Sequence, residues 1–284
     1  MIEKTIAGIR RGNKFSPNHI GNDAAIFSLT VEQLRERGYK VNEYTESDLL
    51  TKDIREEVIF NMVRDRYSVR KLQHLEEEGR LVINSGFGIE NCTREKMTRL
   101  FMSANIPSPR SIILHTDDDP VAALEAADFS DCWIKRHDFH AIHREDVTYV
   151  RHIEEAKSIM KEYAMRGITT AVINEHLAGD LVKFYGVIGT DFFYWFYPDM
   201  NHSKFGCEII NGKAHEIPFD KYALRQLCNE AARILNVVIY GGDCIIDKYG
   251  MIRLIDFNDW PSFAPCRNQA APYIASCIHH LITT

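Results

Sequence analysis

Strand and helix patterns alternate over the first third of the chain, and antiparallel patterns replace them afterwards, so the sequence predicts a parallel α/β lobe followed by an α+β lobe. Three observations carry this. Apolar runs at residues 4–9, 39–44, 57–62 and 80–84 have strand length and are separated by helical or polar segments. Residues 181–188 and 192–197 read as an antiparallel pair, the second of them almost wholly aromatic. Residues 238–247 and 250–258 read as a hairpin turned by Asp247-Lys248-Tyr249-Gly250.

The elements follow in order. After the first strand comes a polar loop, residues 10–22, with two glycines and a proline. Asp23 is placed to N-cap a helix ending at Gly38, because Ala25, Leu29 and Leu34 recur at helical spacing. A charged helix at residues 68–78 lies between the third and fourth apolar runs. Gly86-Phe87-Gly88 interrupts the pattern and suggests a lobe boundary near residues 86–92. A helix is expected over residues 91–105, entered through Asn91 or Thr93 and ended by Ile106-Pro107-Ser108-Pro109. Strands are expected at 110–115, 131–136, 146–150 and 171–176, and helices at 121–127, 153–164 and 220–235.

The bulk numbers are those of a globular protein. Of 284 residues, 45% are hydrophobic and 26% charged, which supplies a core and argues against disorder. A net charge of -6 argues against a dedicated nucleic-acid binder, although local basic clusters can still hold phosphates. The first residues are short, mixed and charged, unlike a signal peptide, and no apolar run approaches the roughly 20 residues that span a bilayer. Seven scattered cysteines without a C-x-x-C pair read as reduced thiols. The expectation is a cytoplasmic protein with no membrane and no nucleic-acid partner; a homo-oligomer is allowed.

The chemistry-bearing pattern lies late in the chain. Asp256 and Asn258 are two apart, so on a strand both project from one face, while Ile255 and Phe257 are expected on the other. A carboxylate beside an amide oxygen suits a hard cation such as Mg²⁺, and Asp243 on the partner strand can approach the same ion. The same residues also fit strand ends capped at the surface. Trp133-Ile134-Lys135-Arg136 places a lysine at the end of an apolar strand, a point charge suited to phosphate. In residues 171–177 an apolar strand runs into Glu175, His176 and Leu177, where the backbone can meet a purine edge, and Asp180 follows.

The order of these segments resembles the ATP-grasp superfamily, in the flavour of the ribosomal-protein-modifying glutamate ligases and glutathione synthetases. Asn91-Cys92-Thr93-Arg94-Glu95-Lys96, Ile134-Lys135, Ile173-Asn174-Glu175-His176-Leu177, Gly242-Asp243 and Asp256-Phe257-Asn258 carry the resemblance, over residues of about 80 to 265. It implies an ATP-grasp fold with an N-terminal pre-ATP-grasp α/β domain at residues 1–90. An ATP-grasp domain would follow at 91–284, divided into a nucleotide lobe, 91–177, and a metal lobe, 178–284. It further implies that Lys96 and Lys135 contact ATP phosphates, that Glu175, His176 and Leu177 form the adenine hinge, and that Asp180 holds ribose. Asp243, Asp256 and Asn258 would hold Mg²⁺ or Mn²⁺. Lys183, Lys204 and Arg253 are the catalytic candidates on the acceptor side, and the basic loop Arg10-Arg11-Gly12-Asn13-Lys14 is placed to hold an anionic substrate. The implied activity is an ADP-forming ligation of a carboxylate to an amine, of small molecules or peptides. A nucleotide-binding relative without turnover and a small-molecule kinase are the alternatives.

Two segments depart from the family pattern. The loop after Lys135, His137-Asp138-Phe139-His140-Ala141-Ile142-His143-Arg144, has no glycine, although glycine lets a backbone approach phosphate closely. Its three histidines allow zinc, a substrate contact or a solvated loop. Trp260-Pro261-Ser262 stands where small residues are usual.

Overall fold

Three four-stranded sheets organise the chain. The computed structural model describes residues 4–15, 20–138, 146–198, 210 and 212–284. The first sheet is parallel, in the order β2-β1-β3-β4, from β1 (Thr5–Arg10), β2 (Lys40–Thr45), β3 (Val58–Asn61) and β4 (Leu81–Ile83). Period-two alternation sends β1 to two cores. Ile6 packs with α1 (Ile20–Glu36), whereas Ala7 and Ile9 pack with α2 (Glu46–Thr51) and α3 (Arg66–Glu77).

Helix α1 begins earlier than its composition suggests. Asp23 is not its N-cap: it lies inside the first turn, buried, with its carboxylate on the Arg11 guanidinium at 3.1 Å. Asp65 is the cap of α3, accepting from the backbone N–H of Tyr67 and Ser68. The segment around Gly86-Phe87-Gly88 is helical, α4 (Gly86–Asn91), and Thr93 then opens a separate helix, α5 (Arg94–Ala104). Glycine is required at position 88 by proximity, since a Cβ there would lie 2.0 Å from the Asn236 carbonyl oxygen.

The second sheet is antiparallel, in the order β5-β8-β6-β7, from β5 (Ser111–His115), β6 (Cys132–Arg136), β7 (Val147–Val150) and β8 (Thr170–Glu175). One face packs on α6 (Pro120–Ala126) and α7 (Ala156–Met165) through Cys132, Ile134, Ala171 and Ile173. The intervening positions, Trp133, Lys135, Val172 and Asn174, therefore face away from those helices.

The third sheet, β10-β9-β11-β12, is also antiparallel. It comprises β9 (Asp180–Val187), β10 (Phe193–Phe196), β11 (Ile239–Ile246) and β12 (Ile252–Asp259). Val182, Phe184, Cys244, Leu254 and Phe257 pack with α5 and α8 (Lys221–Leu235). The expected hairpin is present, with Gly250 at φ +80 in its turn. Helix α9 (Arg267–Thr283) closes the chain and packs on α1. Trp260, fully buried and stacked on Phe60, joins the first core to this layer, which is why a bulky residue occupies that turn. Among the described residues no helix is long and apolar enough to cross a membrane.

Candidate functional site

The inward faces of the second and third sheets enclose a cavity of about 150 Å³. Trp133, Lys135, Val147 and Asn174 line it from one sheet, Leu181, Asp243, Ile245, Ile255 and Asp256 from the other, and Arg94 from the first turn of α5. Glu175, His176 and Leu177 close one end.

A β-bulge sets the metal-side geometry. Asp243 pairs with Asp256, but the next pair is Cys244 with Leu254, so Ile255 is the extra residue. Upstream of the bulge the even position Leu254 faces the core; downstream the odd position Phe257 does. The insertion thus turns Asp256 and Asn258 away from the core. Ile255 lies beside them, a correction to strict alternation, and lines the cavity instead of packing behind the strand.

Charge converges here. Lys183, the register partner of Asp243, places Nζ 3.1 Å from both carboxylate oxygens. Lys135 is 8% exposed, with Nζ 3.5 Å from the Ile255 carbonyl oxygen. Arg94 is 7% exposed, its Nη2 lies 3.9 Å from Asp256, and its Nη1 is buried without a hydrogen-bond partner. At the closed end, Trp133 Nε1–H donates to His176 Nδ1 at 3.1 Å, and the Trp133, Tyr149 and His176 rings pack together. The Glu175 carboxylate accepts from the backbone N–H and Nε of Arg110, and its own backbone N–H donates to the Arg110 carbonyl oxygen at 2.9 Å.

Of the residues singled out from sequence, Lys135, Glu175, His176, Leu177, Asp243 and Asp256 line this cavity. Asn258 lies two residues beyond Asp256, past the bulge, and Arg253 is the register partner of Ile245; neither is among the residues that line the cavity. Two expected nucleotide contacts lie elsewhere. Lys96 is half-exposed and paired with Glu90 at 2.9 Å. Asp180 is buried, and its two oxygens accept from the backbone N–H of His215 and Ile217 at 2.7 and 2.8 Å, a structural role in place of a ribose contact. Lys204, His140 and His143 lie outside the described residues, and the His137 ring nitrogen Nδ1 meets the Thr170 carbonyl oxygen.

Arg94 is the residue that sequence reading overlooked. Helical phase was the available signal: Arg94 is in register with the buried Met97 and Phe101, three and seven residues on, whereas Lys96 falls on the opposite face.

The donor chemistry fits a hard divalent ion. Two facing carboxylates and a neighbouring amide oxygen match the small protein share of a Mg²⁺ shell, which is completed by water and phosphate. Among the described residues no group of three or more His, Cys, Asp or Glu side chains gathers into a metal site.

No family model matches the chain, and no curated protein matches it in sequence. Solved structures do match. D-alanyl-alanine synthetase A from Vibrio cholerae superposes with a TM-score of 0.72 at 11% identity, covering 100% of both chains. D-alanine–D-alanine ligase from Bacillus anthracis, in complex with ATP, gives 0.69 at 13% identity, covering 98% of this chain and 96% of that one. A RimK-domain ATP-grasp protein from Sphaerobacter thermophilus gives 0.67 at 14%, covering 97% and 99%. With full-length superposition on all three, the chain has the ATP-grasp fold.

Proposed function

We propose that the protein is an ATP- and Mg²⁺-dependent, ADP-forming ligase that joins a carboxylate to an amine through an acyl phosphate. The observation that carries this reading is the meeting of Arg94, Lys135, Asp243 and Asp256 in one cavity that Glu175, His176 and Leu177 also line. In this reading the hinge backbone holds adenine, Arg94 and Lys135 hold the phosphates, and Asp243, Asp256 and Asn258 hold Mg²⁺. That ion supplies charge neutralisation on the phosphates when bound. The full-length likeness to ligases, one of them crystallised with ATP, supports the same reading.

The chemistry balances without a protein nucleophile. A substrate carboxylate oxygen attacks the γ-phosphorus, the bond to the bridging oxygen breaks, and ADP leaves. The amine then attacks the acyl carbon, phosphate departs with the bonding pair, and the nitrogen loses a proton. Arg94 and Lys135 stabilise the charge spread over the transferred group by fixed position in a partly dry site. Lys183 holds the Asp243 carboxylate in place from the neighbouring strand.

Calorimetric titration with Mg-ADP, followed by an ADP-release screen of carboxylates paired with amines, tests the reading. ADP formation that requires both substrates supports it. Formation of AMP, phosphate retained on the acceptor, or no nucleotide binding refutes it.

A further inference from the structure

The carboxyl edge of the parallel sheet holds a buried arginine that the cavity above does not use. The chain passes from β1 to β2 on one side and then crosses to β3 on the other. The crevice between β1 and β3 is therefore the topological switch point, where open α/β sheets bind ligands. Arg11, which follows β1, is fully engaged there: Nε donates to the Met62 carbonyl oxygen, Nη1 to Asp23 and Nη2 to the Trp260 carbonyl oxygen.

Arg64, just past β3, is held much more loosely. Its side chain is 15% exposed, and the Asp259 carboxylate lies 3.8 Å away, beyond hydrogen-bond range. Nη2 reaches the Asp259 carbonyl oxygen only at 3.5 Å, and Nε is buried without a partner. Burial and the neighbouring Arg11 cation pull its pKa down to about 10. The other acids nearby are occupied: Asp23 takes Arg11, and Glu46 accepts from the backbone N–H of Arg64 and Asp65. A structural guanidinium this deep is normally gripped by a carboxylate at about 2.7–2.9 Å, often through two nitrogens. An imperfectly compensated one is destabilising.

The position of Arg64 matters as much as its loose pairing. Arg64 Nη2 lies 3.5 Å from the backbone carbonyl oxygen of Asp259, at the end of β12 three residues beyond the cavity-lining Asp256. We propose that Arg64 binds a carboxylate of the acid substrate other than the one that is phosphorylated, so that the protein takes dicarboxylic acids. The inference rests on the ligase reading for the identity of the reacting group. The fork of Arg64 matches a planar carboxylate, and the bound anion supplies the partner that Nε lacks.

Thermal unfolding of the full chain tests this with malonate as the probe and acetate as the monocarboxylate control, at constant ionic strength. Each is titrated first without and then with saturating Mg-ADP. Malonate is expected to raise Tm saturably in the parent protein while acetate does not. Arg64→Met should weaken the malonate response at least tenfold and keep the parent's own Tm, and Arg64→Lys should fall between. No malonate response in the parent, or an equal response in Arg64→Met, overturns the proposal. Should Arg64→Met not fold, a malonate response in Arg64→Lys equal to the parent's overturns it. A missing Mg-ADP shift sinks the nucleotide reading separately, because the malonate titration without nucleotide still reports on Arg64.

Discussion

Replacing Arg94 by methionine separates a ligand-binding arginine from a structural one. The side chain is 93% buried by its 7% exposure, yet its nearest carboxylate contact, Asp256, is at 3.9 Å, and Nη1 has no partner. Phosphate oxygens would complete that shell with charge-assisted hydrogen bonds, each worth about 1.5–3 kcal/mol. At about 1.4 kcal/mol per factor of ten, losing one such bond weakens Mg-ADP binding by roughly 10- to 150-fold. The same change should scarcely move the stability of the ligand-free protein. Breaking a well-formed buried ion pair costs about 3–5 kcal/mol, but this pair is long and Asp256 is 27% exposed, so the loss is about 1 kcal/mol or less. Calorimetric titration reads the first quantity and urea unfolding the second. An unchanged Kd, or a stability loss of several kcal/mol with nucleotide affinity intact, would show that Arg94 serves the fold.

Three further outcomes follow. Replacing Asp256 and Asn258 together by alanine should abolish the metal dependence of nucleotide binding, measured as the difference between titrations with Mg²⁺ and with EDTA. Asp180→Ala leaves two backbone N–H groups without acceptors, so urea unfolding should show a loss of about 2–4 kcal/mol, while the protein that remains folded binds Mg-ADP as before. Burial raises the Glu46 carboxyl above its usual range, ahead of the lowering by the Arg64 and Asp65 amides. The native state thus holds that proton more tightly than the unfolded chain, so this contribution to stability is present below pH 4.5 and is lost as pH rises through the folded pKa. Glu46→Gln should remove that slope from a pH series of urea midpoints.

The strands were largely legible because burial imposes a period that short apolar runs display. Thr5–Arg10 and the β11–β12 hairpin fall within one or two residues of their expected positions. Helix α9 was not legible: Pro272 lies within it, and its apolar residues are spread too evenly for one face to stand out. The helix expected over residues 91–105 is two helices, because the Thr93 turn restarts the backbone between α4 and α5. The phase of α5 then separates two neighbouring cations. Both Arg94 and Lys96 are cations, and only the burial of Met97 and Phe101 picks out the one that points inward. For Asp180, an acid after an apolar strand suits a ribose or a pair of backbone amides equally well, and only tertiary contacts show that its oxygens accept from the His215 and Ile217 N–H groups.

The charges of the site are more informative taken together than singly. Arg94, Lys135 and Lys183 are three cations, and Asp243 and Asp256 are two carboxylates, so the inner site carries one net positive charge; Glu175 is already matched by Arg110. Asp243 and Asp256 face one another across β11 and β12, an arrangement of like charges that is unfavourable unless cations stand between or beside them. Lys183 and Arg94 supply that from opposite sides in the ligand-free protein. A divalent ion on the carboxylates would add two charges and reduce the hold of both cations on them, freeing the cations for an anion. On the proposed reading the site takes a metal and a phosphate chain together: either alone would leave the other's partners unbalanced in a partly buried cavity, where the low local polarity magnifies the mismatch.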